Sequence, residues 1–112
     1  IELRAVPKHT LVYEISGPLF FGAADKILDI KYNEKTHCIV LRMRAVSAID
    51  ATAMNSLEML YKKCQSKGVA LVLSHVNEQP LHAMQKSGFY EKVGAENFCP
   101  HIDEALKRAA EF

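Results

Sequence analysis

Two short, continuous apolar runs constrain the fold of this chain more than any other feature. The runs are Cys38-Ile39-Val40-Leu41 and Val69-Ala70-Leu71-Val72-Leu73, and neither alternates between apolar and polar residues. Runs of this kind are typical of strands that are covered on both faces. Because an amphipathic segment separates them, the pattern predicts two parallel neighbouring strands joined by a right-handed crossover helix. The chain is therefore predicted to be an α/β domain.

The crossover helix is predicted to begin at Ile49-Asp50-Ala51-Thr52-Ala53-Met54 and to end at Lys67-Gly68. Asp50 is the predicted N-cap, because a carboxylate there accepts hydrogen bonds from unpaired amides of the first turn. Thr52 then lies near the surface, beside amides that could receive an anion or a phosphoryl group. A capped helix start with no further function is the alternative interpretation. The predicted buried face consists of Ala53, Met54, Leu57, Leu60, Tyr61 and Cys64.

Further strands and helices are predicted around this unit. Residues 1–6 and 10–15 alternate between apolar and polar residues, which predicts an antiparallel hairpin at a sheet edge. Residues 89–94 fit either a short strand or an irregular connection. The predicted fold is a mixed sheet of about four strands, flanked by four or so helices. Besides the crossover helix, the predicted helices run from Ala23 to about Asn33, from Asn77 to Gly88, and from Pro100 onward.

The loops beyond the carboxyl ends of the predicted strands are the expected place for a ligand, as in other parallel sheets. In this sequence those loops are residues 17–22, 44–52 and 74–80. The predicted functional residues Asp50 and Thr52 belong to the second loop.

Charge and composition exclude several classes of function. The 112 residues carry 14 basic and 13 acidic side chains scattered along the chain, so there is no basic stripe for nucleic acid. Three cysteines, with neither zinc-module nor disulfide spacing, predict a reduced, cytosolic compartment. No apolar run approaches the roughly 18 residues of a membrane span, which predicts that this segment does not itself insert into a membrane.

No metal, cofactor or catalytic centre is predicted. An enzyme would need Asp50 as base and Thr52 as nucleophile, together with a third orienting group that the sequence does not reveal. Cys64 belongs to the apolar helix face, which predicts a core residue rather than a nucleophile. None of the histidines is spaced as a metal ligand, and all are expected at the surface or in loops. They are His9, His37, His75, His82 and His101.

The segment Asp50-Ala51-Thr52-Ala53-Met54 resembles the signature loop of the STAS domain. This domain is shared by bacterial anti-sigma factor antagonists and the cytoplasmic tails of sulfate permease (SulP-type) anion transporters. The resemblance covers essentially residues 1–112 as one domain. Three segments favour the transporter branch, the first by its similarity to the Gly-Pro-Leu-Phe-Phe segment of permease tails. They are residues 17–24, Asn77-Glu78-Gln79-Pro80-Leu81 and Ile102-Asp103-Glu104-Ala105-Leu106.

The resemblance implies a non-catalytic regulatory domain on the cytoplasmic side of the bacterial inner membrane, excised from a longer anion transporter. The missing initiator methionine agrees with an excised piece. The implied partners are the transporter's membrane domain in cis and regulatory cytoplasmic proteins. The residues Pro18, Leu19, Phe20 and Phe21 have two interpretations. The Phe pair either anchors a helix to the core or, if exposed, contacts the partner.

The resemblance also implies a regulatory loop at Asp50 and Thr52, since Thr52 matches the hydroxyl position that anti-sigma factor antagonists phosphorylate. Two residues depart from the pattern: Ala51 replaces a frequent second serine, and Ala53 replaces a usual glycine. Because Thr52 still supplies the acceptor hydroxyl, the alternative function is a free-standing anti-sigma factor antagonist that is regulated by phosphorylation at Thr52. Nucleotide binding at the same loop is a third hypothesis, based on family analogy and the helix N-terminus.

Overall fold

The computed structural model describes residues 6–15, 17 and 30–112 of the chain. Four strands form one sheet, and in order along the chain they are β1 (Thr10–Glu14), β2 (Cys38–Arg42), β3 (Ala70–Ser74) and β4 (Phe98–Cys99). The described helices are α1 (Ala51–Ser66), α2 (Glu78–Ser87), α3 (Phe89–Val93) and α4 (Ile102–Ala109), with a single 3₁₀ turn at Ala95–Asn97. None of these helices is both long and apolar enough to cross a bilayer.

The sheet has the order β1-β2-β3-β4, and every described pair of neighbours is parallel. The parallel pairing of β2 with β3 through α1 is as predicted. One register row crosses the whole sheet at its carboxyl end, where Glu14, Arg42, Ser74 and Cys99 lie side by side.

The described sheet is all parallel, not the mixed sheet with an antiparallel hairpin that the sequence predicted. β1 pairs in parallel with β2, although residues 1–5 of the predicted first hairpin strand lie outside the described residues. Alternation predicts that a segment is a strand with one covered face, but it does not say which strand is its partner. The long connection between Glu14 and Cys38 returns the chain to the same end of the sheet, which a parallel pair requires.

Residues 89–94 are neither a strand nor an irregular connection. Gly88 ends α2 with a left-handed backbone (φ 87°), and the chain continues at once into α3. Phe89 and Val93 are both buried, because their spacing of four places them on one side of that short helix. The last strand is β4, which the sequence analysis did not predict.

The apolar core has two parts, one on each face of the sheet. On the first face Ile39, Leu41, Leu71 and Leu73 pack in one cluster with the buried residues of α1, α2 and α3. These include Leu57, Leu60, Met84 and Phe89. On the second face Cys38, Val40 and Val72 pack with α4, whose buried residues are the predicted stripe Ile102, Ala105, Leu106 and Ala109. Among the described helices, α4 alone covers this second face.

Candidate functional site

The start of α1 places Asp50 and Thr52 at the carboxyl edge of the sheet. Asp50 is the N-cap, and the amide of Ala53 donates a hydrogen bond to its Oδ1 atom at 2.9 Å. Thr52 is the second residue of the helix and is exposed, as is Ala51 before it. The predicted cap is therefore confirmed, and the side chain of Thr52 is available at the surface.

The loop before this helix start, residues 43–50, is held by two side chains at the start of α2, those of Asn77 and Gln79. Asn77 Nδ2 donates to the backbone oxygens of Arg44 at 3.1 Å and Val46 at 2.8 Å. Gln79 forms two hydrogen bonds with Ile49, whose amide donates to Oε1 at 2.9 Å and whose oxygen accepts from Nε2 at 3.3 Å. Both side chains bond to backbone groups, so they fix the path of the loop rather than the position of one side chain.

Asn77 directly precedes α2, the position from which an asparagine side chain commonly caps a helix. It occupies the N-cap position, but its side chain makes no capping hydrogen bond to α2. The amide group points instead to the 43–50 loop, more than thirty residues earlier in the chain. Asn77 therefore occupies the N-cap position of α2, but its side chain stabilises the loop that leads into α1, the helix that carries Thr52.

The end of β1 contacts the same loop through an ion pair. Arg44 donates to Glu14 from Nε at 2.7 Å and from Nη2 at 3.3 Å, and Arg42 Nη1 lies 3.8 Å from the same carboxylate. The hydrogen bond from Arg44 is the main cause that holds the pKa of Glu14 below its usual value. The end of β1 and the start of α2 thus both contact the 43–50 loop, which leads into the helix start that carries Thr52.

The other candidate side chains do not form a reactive centre. Burial raises the pKa of Cys38 to about 12 and that of Cys64 to about 11, so neither thiol is a nucleophile near neutral pH. All five histidines are exposed, as predicted. Within the part of the chain that the structure describes, no group of three or more His, Cys, Asp or Glu side chains is arranged to hold a metal ion.

A comparison with models of protein families identifies the chain. The model of the STAS domain matches residues 1–105, almost the entire sequence. The chain belongs to the STAS domain family. This membership confirms the resemblance that the Asp50-Ala51-Thr52 loop suggested, and with it the α/β fold of the family.

Two of the solved structures that resemble this STAS domain come from transporters. A sulfate transporter family protein from Wolinella succinogenes is 40% identical, with a TM-score of 0.88 over 96% of this chain and 90% of that one. The STAS domain of a SulP transporter from Vibrio cholerae is 26% identical, with a TM-score of 0.78 over 96% of this chain and 85% of that one.

A full-length relative shows how much of a transporter such a STAS domain represents. "Putative sulfate transporter YvdB" from Bacillus subtilis (strain 168) is 29% identical over 96 residues, which is 83% of this chain. The match spans 18% of the length of YvdB. This STAS domain therefore corresponds to a small part of that relative.

The structure brings together only some of the predicted site residues. Asp50 and Thr52 lie in one helix start, whereas Pro18, Leu19, Phe20 and Phe21 lie outside the described residues. The sequence analysis placed Asn77 and Gln79 in a loop at the correct edge but missed their contacts with residues 43–50. It also missed the loop after β4, at Cys99 and Pro100, which reaches the same edge of the sheet. The pair Phe98-Cys99 before a proline was the only local signal for it.

Proposed function

We propose that this STAS domain is a non-catalytic regulatory and interaction domain of a sulfate-permease-type anion transporter, on the cytoplasmic side of the bacterial inner membrane. The observation that carries the proposal is the 40% identity over 96% of the chain to a sulfate transporter family protein. The segment of YvdB that matches this chain is 18% of the length of YvdB. This supports the proposal that the domain is part of a larger membrane protein. The free thiols Cys38, Cys64 and Cys99 favour a reducing compartment.

The proposed contact surface is the exposed side of α1, and Thr52 lies at one end of that surface. Thr52, Asn55 and Met59 lie along one side of the helix, since they are three and four residues apart. Met59 is 50% exposed, and thioether side chains are common at surfaces that bind other proteins. The partner at this surface would be the membrane domain in cis or a regulatory cytoplasmic protein. The four residues Pro18, Leu19, Phe20 and Phe21 are proposed as a second contact with the same partner.

A preformed loop suits an interaction role. Asn77 and Gln79 hold the 43–50 loop by its backbone, so a partner that binds Thr52 orders little additional chain. Catalysis is less compatible with the arrangement, because the Asp50 carboxylate is engaged by the amide of Ala53 rather than dedicated to activating the Thr52 hydroxyl.

The test uses the full-length product of the gene that encodes this domain. We expect the gene to encode membrane-spanning helices besides the domain, and we expect Thr52→Arg and Met59→Arg to change sulfate uptake into proteoliposomes at least twofold. The matched control is Gln85→Arg, an exposed residue of α2, which should leave uptake unchanged. A gene product without membrane spans, or uptake that neither α1 variant alters, would overturn the proposal.

The exposure of Thr52 favours one second candidate, a free-standing anti-sigma factor antagonist switched by phosphorylation. A phosphoryl group there adds about −1.5 to −2 charges, which the helix dipole favours and the nearby Asp50 opposes. The expected effect is on the docking of a partner rather than on the fold. Incubation with a kinase-like anti-sigma factor and ATP, followed by mass spectrometry, tests it. Phosphorylation of the wild type but not of Thr52→Val would support this candidate, and no phosphorylation would exclude it.

Nucleotide binding at Asp50 and Thr52 stays a prediction with less support from the geometry. A phosphate at this helix start would need the amide of Ala53, and the Asp50 carboxylate already accepts that hydrogen bond. The test is a titration with GTP and ATP, followed by the amide NMR shifts of residues 50–53. Saturable shifts of these amides would support nucleotide binding, and unchanged shifts would contradict it.

A further inference from the structure

The carboxyl ends of β3 and β4 enclose a crevice at a point where the topology of the sheet changes. The helix that follows β3, α2, packs on the first face of the sheet, whereas the helix that follows β4, α4, packs on the second face. Neighbouring parallel strands whose following helices go to opposite faces leave a gap between their loops, and open α/β sheets bind ligands in such gaps.

The gap forms an open crevice at the protein surface. Its volume is about 500 Å³, within the range of small-molecule sites. The amide of His75 donates to the backbone oxygen of Cys99 at 2.9 Å, so the loops after the two strands are joined. His75 also has a left-handed backbone (φ 54°), a conformation that is uncommon outside glycine and is enriched at ligand sites.

The lining residues are apolar and aromatic, with a single carboxylate. Leu81, Tyr90 and Phe98 line the cavity, and the rings of Tyr90 and Phe98 pack with their centroids 4.6 Å apart. Glu78 is the one formally charged residue among the described residues that line it. The carboxylate of Glu78 attracts a cation, and the faces of aromatic rings do so as well.

Charges around the crevice oppose an anion even though two helices begin there. A helix N-terminus is equivalent to about +0.5 of a charge. The first turn of α2 carries Glu78, and that of α4 carries Asp103 and Glu104. Of these carboxylates only Glu78 lines the crevice, and its full negative charge outweighs the partial positive charge at the start of α2.

We propose that this crevice binds a small organic cation, a protonated amine on an aromatic or aliphatic stem. The ammonium group pairs with Glu78, and the stem packs against Leu81, Tyr90 and Phe98. The site is separate from the surface at Thr52, and the proposal does not depend on the transporter function proposed above.

The test compares three probes that share a phenyl stem and differ in charge. They are 2-phenylethylamine, which is a cation, 2-phenylethanol, which is neutral, and 3-phenylpropanoate, which is an anion. Each is titrated into the protein while amide NMR spectra are recorded. We expect the amine to shift the amides of His75, Leu81, Tyr90 and Cys99. The alcohol should bind about tenfold more weakly, and the anion should cause no saturable shift.

Two variants locate the binding site. Glu78→Gln should weaken binding of the amine about tenfold, whereas the matched control Glu34→Gln, at the opposite edge of the sheet, should not. Leu81→Lys places an ammonium group in the crevice and should abolish binding, and thermal unfolding shows that each variant is folded. Any of four results would overturn the proposal. The three probes could bind with equal affinity, the anion could bind more tightly than the amine, Glu78→Gln could leave the affinity for the amine unaltered, or the shifted amides could all lie outside the crevice.

Discussion

The side chain of Gln79 is paired with the backbone of Ile49 in both directions. The amide of Ile49 donates to Oε1 of Gln79 at 2.9 Å, and Nε2 of Gln79 donates to the oxygen of Ile49 at 3.3 Å. The carboxamide thus forms hydrogen bonds with both backbone polar groups of Ile49. Ile49 directly precedes Asp50, the N-cap of α1. The two hydrogen bonds of Gln79 therefore connect α2 to the start of α1.

Gln79→Ala is expected to destabilise the domain by about 1–2 kcal/mol, because two partly buried backbone groups of Ile49 lose their partner. Urea unfolding measures the loss, and hydrogen exchange of the Ile49 amide should become faster. Gln85→Ala, an exposed glutamine of the same helix, is the control. Equal losses in the two variants, or unchanged exchange at Ile49, would contradict the pairing as the cause.

Asp50→Ala should cost about 1 kcal/mol of unfolding free energy, since the amide of Ala53 loses its capping acceptor. Asp50→Ser keeps an oxygen at the same position and should recover most of the loss. Both values come from urea unfolding at pH 7. If the serine variant is no more stable than the alanine variant, capping is not what Asp50 contributes.

Glu14 should make stability depend on pH. The hydrogen bonds from Arg44 lower the pKa of Glu14, so the folded state binds the proton less tightly than the unfolded state does. The stabilisation is therefore present above the unfolded pKa of about 4.3 and is lost as the pH falls through the lower, folded value.

The measurement is the difference in urea midpoint between the wild type and Glu14→Gln. It should be largest near neutral pH, vanish in acid, and shrink at high salt, since the pair is exposed. Glu34→Gln is the control, as an exposed turn residue. A difference that does not change between neutral and acid pH would show that the carboxylate charge of Glu14 is not involved.

The three thiols should react with a maleimide in a fixed order. Cys99 is partly exposed and should react first, although slowly, because its pKa is raised. Cys38 and Cys64 are fully buried with pKa values raised to about 12 and about 11, and should react only when the protein unfolds. Mass spectrometry should find one adduct in the native protein and three in urea. A second adduct in the native state, formed as readily as the one at Cys99, would contradict the packing of α1 or α4.

The parts of this domain that depend on local sequence were predictable. Asp50 as a cap, the buried face of α1 and the stripe on α4 all depend on residues within a few positions of one another. The two continuous apolar runs also predicted β2 and β3 as parallel neighbours, because a short crossover leaves few other topologies.

The parts that depend on distant partners were not predictable. The alternation at residues 10–15 is the same whether β1 pairs with an antiparallel or a parallel neighbour. Asn77 and Gln79 have the composition of a helix start, and nothing nearby in the sequence indicates that their side chains bond to a loop some thirty residues away. β4 is only two residues long, too short for any periodicity to reveal.

The position of α4 has a consequence for synthesis of the protein. Val40 and Val72 are covered by this helix, which follows every other described element in the sequence. Among the described elements, none that precedes residues 102–109 covers this side of the two central strands, so while the chain emerges from the ribosome it lacks the cover that α4 later provides. Such a nascent chain exposes an apolar sheet surface that chaperones recognise and that promotes aggregation. The second face of the described sheet is therefore covered late in synthesis, by α4.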